Sequence, residues 1–332
     1  MVRPIFALLL LAPLLATQAE AGDGRQAGRP DAPPASSSSS FPQKNPAAVW
    51  LGRFSRGMAE LSYHGVLTYE SGDHLESLRV THGRVGGETY ERLEHLDGDH
   101  REVIRRGEQL TCIYLGQRLS RLFRQPKGGH NGNLTGLEAH YDVRLEGESR
   151  VAGRRSMGVR IKPRDEYRFG YRLALDYDTG LLLRSELLTA DGRILERFQF
   201  VEVTIGPLKP EWISNEPVVR NAVPASAPAI AAAPPGWTPH WLPAGFALSN
   251  MPRATPEDVQ TYSDGLAVMS VFVEPAEEPL PTAEGRAQQG ASVAYTKPLR
   301  RQDKSYIVTV MGEVPQATAA GVANSVDWSS RP

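Results

Sequence analysis

The chain has 332 residues, 40% of them apolar, with a formal net charge of −1 and a pI near 6.7. That length predicts two domains, each able to bury a core. The balanced charge excludes the basic stripe that nucleic-acid binding usually needs, and a lone cysteine, Cys112, excludes an intrachain disulfide.

In chain order, Met1–Arg3 supplies one positive charge and Ile5–Leu15 an apolar run. That run is shorter than the ~20 residues that span a bilayer. Ala19-Glu20-Ala21 fits a cleavage site, so residues 1–21 read as a secretion signal and the protein as exported and soluble. Residues 22–44, with PDAPPASSSSS, read as a disordered Pro/Ser tether, because they hold too little apolar surface to offset the entropy of ordering.

A large β domain is predicted over 45–205. Asn45 as cap and Pro46 at the first position start a helix of about four turns, with Ala47, Trp50, Phe54, Met58 and Leu61 on one stripe. From Tyr63 the period becomes two. Ser71-Gly72-Asp73 turns the chain, and Leu75–His82 returns it. Further strands are predicted at Glu88–Leu96, Arg101–Arg106, Gln109–Leu115, Tyr141–Glu146, Met157–Lys162, Tyr171–Tyr177, Leu181–Leu188 and Ile194–Ile205. The breaks Asp97-Gly98, Arg106-Gly107, Asp178-Thr179-Gly180 and Asp191-Gly192 are hairpin chemistry. Roughly ten strands in one meander predict a large, curved antiparallel sheet with the helix on its concave face. Arg124–Thr135 reads as a loop, and Cys112 as a small buried side chain on a strand.

Residues 206–236 form an Ala/Pro-rich linker around AVPASAPAIAAAPP. Residues 237–328 predict a smaller α+β domain. It has a hairpin turning at Ser263-Asp264-Gly265, strands Ala291–Lys297 and Ser305–Glu313, and a short helix from Pro315. The fold class is therefore α+β, mostly β.

The stretch SYHGVLTYESGDHLESLRVTHG holds His64, His74 and His82 beside Glu70, Asp73 and Glu76. No two of these histidines have the i,i+2 spacing that would place imidazoles together on a strand face, and no H-E-x-x-H or C-x-x-C occurs, so no metal or cofactor is expected. No G-x-S-x-G or phosphate-binding glycine loop appears, and the chain reads as a non-enzyme. A carboxylate pair, Glu70 and Glu76 across one hairpin, is the hydrolase alternative. A curved sheet under an amphipathic helix instead suits an apolar guest such as an acyl chain, lined by Trp50, Phe54, Met58, Leu67 and Tyr69. Arg79, Arg92, Arg101 and Arg105 could meet its acidic groups.

The segments WLGRFSRGMAELSYHGVLTYESGDHLESLRVTH and ERLEHLDGDHREVIRRGEQLTCIYLG resemble the opening domain of the MucB/RseB family of periplasmic stress-response regulators. WLPAGFAL, YSDGLAVMSVFVEP and YIVTVMGEVPQATAAGVANSV resemble its second domain, so the likeness runs from about Pro46 to Val326. The resemblance implies a large domain folded like the lipoprotein carriers, an open β-barrel with covering helices. It implies a periplasmic protein that binds the periplasmic region of a membrane-spanning anti-sigma factor (RseA or MucA) and shields it from proteolysis. Release would follow on sensing lipopolysaccharide or another amphiphile, and the membrane would be reached only through the partner. The partner is expected around Trp237, Trp241, Tyr262, Leu266, Met269 and Phe272. A lipid or lipoprotein carrier without a signalling role is the alternative, and self-association into a homo-oligomer stays open.

Overall fold

The first helix, α1 (Pro46–Glu60), starts where the cap chemistry places it: the Asn45 side chain accepts a hydrogen bond from the Ala47 amide at 3.0 Å. The same side chain donates to Glu138 and to the Val143 carbonyl, which ties the helix start to a strand. Ala47, Trp50, Leu51, Phe54 and Gly57 form the buried stripe. The computed structural model describes residues 45–107, 134–213, 236–249, 259–277 and 283–328. The expected signal and tether, the strand at Gln109–Leu115 with Cys112, and the core of the linker lie outside the described residues.

Among the described residues nine strands form the large sheet: β1 (Tyr63–Ser71), β2 (His74–Val85), β3 (Glu88–His95), β4 (Glu102–Arg106), β5 (Tyr141–Val151), β6 (Arg154–Pro163), β7 (Gly170–Asp176), β8 (Leu182–Leu188) and β9 (Ile194–Ile205). Their order is β4-β3-β2-β1-β9-β8-β7-β6-β5, antiparallel at every described step. This corrects the single meander expected from the sequence. The chain builds outward from β1 to β4, then restarts at the opposite edge and works back until β9 pairs with β1. A short helix, α2 (Leu134–His140), precedes β5 where a loop to Thr135 was expected. The hairpin β5–β6 is longer than predicted because it turns at Ala152-Gly153, both with positive φ, and Ala is a weak turn signal.

One face of this sheet is apolar. Tyr141, Val143, Val159, Ile161, Tyr171, Leu173 and Leu187 pack with Trp50, Leu51 and Phe54 of α1. Leu67, Leu78, Leu93 and Phe200 form an adjoining cluster. Each large side chain so buried contributes roughly 1.5–3 kcal/mol, which fixes α1 to the sheet. The opposite face carries charge. Glu70, Arg197, Glu186, Arg172 and Glu146 form a chain of ion pairs at 3.0–3.2 Å across β1, β9, β8, β7 and β5.

The second sheet has the order β11-β12-β13-β16-β15-β14: β11 (Ala247–Leu248), β12 (Val259–Ser263), β13 (Val268–Pro275), β14 (Gly285–Gln289), β15 (Ser292–Arg301) and β16 (Lys304–Gly312). Helix α3 (Gln316–Asn324) packs on β15 and β16. A two-stranded clasp, β10 (Trp237–Pro239) with β17 (Val326–Trp328), joins the two ends of this segment. The strands at β10, β11, β14 and β17 were not predicted. Lys44–Pro332 forms one compact unit.

The turn between β7 and β8 seats α1. Arg53 donates to the carbonyls of Tyr177 and Asp178 at 2.6 and 2.8 Å. Gly180 has φ +80°, and a Cβ there would fall 2.8 Å from the Arg53 carbonyl carbon. Gly180→Ala is therefore expected to cost about 2 kcal/mol or more, read as a lower midpoint in urea unfolding.

Asp176 holds the same turn. Its carboxylate accepts from Thr179 and, at 2.6 Å, from Arg154. Burial alone would raise its pKa; the Arg154 and Thr179 donors outweigh burial and hold it below the ordinary carboxylate range. A depressed pKa contributes stability above the unfolded value of about 3.9, and that stability is lost as pH falls through the folded value. Arg154→Met should therefore move the acid-unfolding midpoint, followed by circular dichroism, to higher pH.

Candidate functional site

The residues that join the two sheets sit in loops and turns. The segment Arg164–Phe169 links β6 to β7, and within it Arg168 is fully buried. The turn Asp264–Ala267 ends the β12–β13 hairpin, and its Asp264 side chain is also fully buried. Arg168 Nη1 donates to Asp264 Oδ2 at 2.6 Å, and Nη2 to the Ala244 carbonyl at 2.6 Å. Its remaining edge pairs with Asp165 at 3.0 Å. Asp264 Oδ2 also accepts the Tyr141 hydroxyl at 2.8 Å, and its Oδ1 accepts the amides of Leu266 and Ala267, each at 2.8 Å. Every polar atom of this plug thus has a partner, the condition under which a buried charge is tolerated.

Electrostatics agree with the geometry. Burial first, then the Asp264 carboxylate, pushes the Tyr141 phenol well above its ordinary range, so the hydroxyl stays a donor. Burial works against the Arg168 charge, yet Asp264 and its other neighbours leave its pKa raised.

Two lighter contacts flank the plug. On one side, Thr318 Oγ1 at the start of α3 donates to the Tyr167 carbonyl at 3.0 Å, and the Tyr167 ring meets Trp241 edge-on at 5.3 Å. On the other, the buried carboxylate of Glu196 accepts the Ala291 amide at 3.1 Å at the tip of the β14–β15 hairpin. Gly290 before it has φ +55°, and a Cβ there would lie 2.2 Å from Ser71 Oγ, so only glycine lets the tip come this close. Leu266 and Ala291, both on hairpin tips of the small sheet, belong to the apolar cluster of the large sheet.

The expected cleft residues occupy packed positions. Trp50 and Phe54 are buried in one cluster, Leu67 in the adjoining one, and Tyr69 lies half-buried against the latter. Met58 touches both. The expected partner residues divide in three. Trp237, Tyr262 and Met269 are buried in the small core, Leu266 is in the joint, and Phe272 and Trp241 retain surface, Trp241 with 37% of its area exposed. A pocket of about 530 Å3 opens at the last turn of α1, lined by Leu61, Arg84, Val85, Ile205 and Leu208, among others.

The three histidines of the opening hairpin are held separately. His64 lies 2.9 Å from Thr81 Oγ1 and stacks on Trp212 at 4.3 Å; burial, Arg79 and Arg92 lower its pKa. His82 donates to the Leu61 carbonyl at 3.0 Å and stacks on Tyr63. His74 is exposed beside Asp73. Among the described residues no three His, Cys, Asp or Glu gather as a metal site would. The carboxylate pair is corrected by register. Glu70 stands opposite Leu75 and Glu76 opposite Tyr69, so the two acids point to opposite faces of the sheet. Glu70 pairs instead with Arg197, and Glu76 lies near Arg101 and His95. Arg79 and Arg92 are likewise engaged by Glu94 and Glu102.

Two family models match this chain: the MucB/RseB N-terminal domain over residues 46–226 and the MucB/RseB C-terminal domain over 231–327. The chain belongs to the MucB/RseB family. It is 38% identical over 288 residues to the sigma factor AlgU regulatory protein MucB of Pseudomonas aeruginosa, covering 84% of this chain and 90% of that one. It is 27% identical over 297 residues to the sigma-E factor regulatory protein RseB of Haemophilus influenzae, with the same coverage. Among solved structures, MucB in complex with the periplasmic part of MucA shares 34% identity and superposes with a TM-score of 0.67, over 86% of this chain and all of that one. A further crystal structure of MucB shares 33% identity over 84% of this chain and 97% of that one, with a TM-score of 0.55. By their names these relatives are regulatory proteins of sigma factors.

Because Arg168 and Asp264 share one network, their losses should not add. In urea unfolding, Arg168→Met together with Asp264→Asn is expected to cost less than the sum of the single changes, with a coupling on the order of 2 kcal/mol.

Proposed function

We propose that this chain is a periplasmic regulator that binds the periplasmic region of a MucA- or RseA-like transmembrane anti-sigma factor. It would shield that region from regulated proteolysis and so keep the envelope-stress sigma factor inactive. An amphiphile such as lipopolysaccharide would release it. The observation that carries this reading is the match, along most of the chain, to a regulator that has been crystallised with MucA. In this reading residues 1–21 are removed on export, 45–205 and 237–328 are two lobes, and 206–236 is the linker between them.

The partner would be gripped mainly by the small lobe and the interdomain region. Trp241 and Phe272 are the expected anchors that still offer surface; aromatic side chains that also keep an exposed face commonly dominate such contacts. Trp237, Tyr262, Leu266 and Met269 would support that surface from beneath. An acyl chain would enter the large lobe by displacing part of the Trp50, Phe54 and Met58 stripe from Leu67 and Tyr69, because that stripe is packed in this structure.

The test is titration of the mature chain with the periplasmic domain of MucA, followed by calorimetry. Trp241→Ala should weaken binding about tenfold, or ~1.4 kcal/mol, with the circular dichroism spectrum unchanged. A lipopolysaccharide fragment should shorten the lifetime of the preformed complex. Lipid binding without any MucA binding would instead identify a carrier.

A further inference from the structure

We propose that Arg168 and Asp264 are the positioning pair that sets the angle between the two sheets, and that an anti-sigma segment binds at full affinity only while this pair is closed. The second half rests on the function proposed above; the first half does not.

Among the described residues, the plug is the densest set of directional contacts across the joint. Among the described residues, the apolar and ring contacts of the joint include Leu266 and Ala291 in the large sheet's cluster, the Tyr167–Trp241 pair, and Gly245 against the His140 ring. The flanking polar contacts are single hydrogen bonds, Thr318 to Tyr167 and Ala291 to Glu196. Apolar burial is non-directional and by itself tolerates sliding and rotation. The plug does not. Arg168 donates from Nε to Asp165, from Nη1 to Asp264 and from Nη2 to Ala244, while Asp264 accepts Tyr141 and Arg168 on one oxygen and two turn amides on the other. Both charged side chains are wholly out of solvent. A rotation of a few degrees would strand a buried charge, whereas full separation would rehydrate both partners. The joint therefore has one well-defined closed state and an open one, with little in between.

The groups come from both sides of the joint. Tyr141 opens β5, Asp165 and Arg168 lie between β6 and β7, and Ala244 and Asp264 belong to the small sheet. The pair thus reports whether the hairpin tip is seated.

The experiment uses the full mature chain and two readouts. Small-angle X-ray scattering reports the separation of the sheets, and titration with the periplasmic domain of Pseudomonas aeruginosa MucA reports affinity. Asp264→Asn and Arg168→Met should each increase the maximum dimension and weaken MucA binding about tenfold, with secondary structure by circular dichroism unchanged. Tyr141→Phe, which removes one hydroxyl and leaves the charges, should move both readouts in the same direction by less, and it serves where the stronger variants do not fold. Scattering curves that superimpose on the unmodified chain would overturn the pair as the positioning device. Opened scattering with unchanged affinity would overturn its link to the partner. Failure of the unmodified chain to bind MucA would overturn the proposed function, and the scattering would still decide whether the pair sets the angle.

Discussion

The pairing of β1 with β9 is the constraint on which the rest of the structure depends. It brings Tyr63 opposite Ile205 and Ser71 opposite Glu196, so strands from the two ends of the large segment become its centre. Closing so long a loop costs little more than closing a short one, because the entropy grows only with the logarithm of length. In return, Leu67 and Tyr69 lie beside Phe200 and Phe198, and the two apolar clusters become one continuous face for α1. The same seam carries Ser71 and Glu196, which receive the second hairpin tip of the small sheet. Without that register the small sheet would lose one of its landing places.

The small sheet reaches the large one through turns, not through its own apolar face, which is occupied by α3 and the clasp. Turns carry polar backbone, so a joint made from them must satisfy amides and carbonyls as it buries them. Asp264 does this twice over: one oxygen closes its own turn, and the other accepts from the large sheet. Such a pair adds little net stability compared with an apolar contact of equal size, because both charges must be dehydrated. What it adds is direction.

Local structure was largely legible. The Asn45-Pro46 start, the period-two runs and the Gly-containing turns placed α1 and most of β1–β9 within a residue or two, because each is governed by near neighbours. What escaped was non-local or weakly patterned. Nothing local distinguishes a continuous meander from one that restarts at the far edge. In β14 every residue is exposed, so there is no alternation to read, and β10, β11 and β17 are too short to show one. Arg168 sits in RDEYRFG, which reads as a polar loop, and Asp264 reads only as a turn former; their burial depends on a pairing across 96 residues. The aromatic residues chosen for the partner surface were picked by type. Tyr262 and Met269 proved to lie on the inward side of their strands, while Phe272 lies on the other, a distinction set by register.

The chain of alternating glutamates and arginines across the back of the large sheet has a consequence of its own. Each carboxylate from Glu70 to Glu146 is answered by a guanidinium a few ångströms away, so the field of one group is cancelled by the next within less than a Debye length, about 8 Å at physiological salt. A wall built in this way is charged yet electrically quiet. Beside a surface crowded with phosphate headgroups it would be neither drawn in nor driven off, leaving capture to whatever the other side of the molecule recognises.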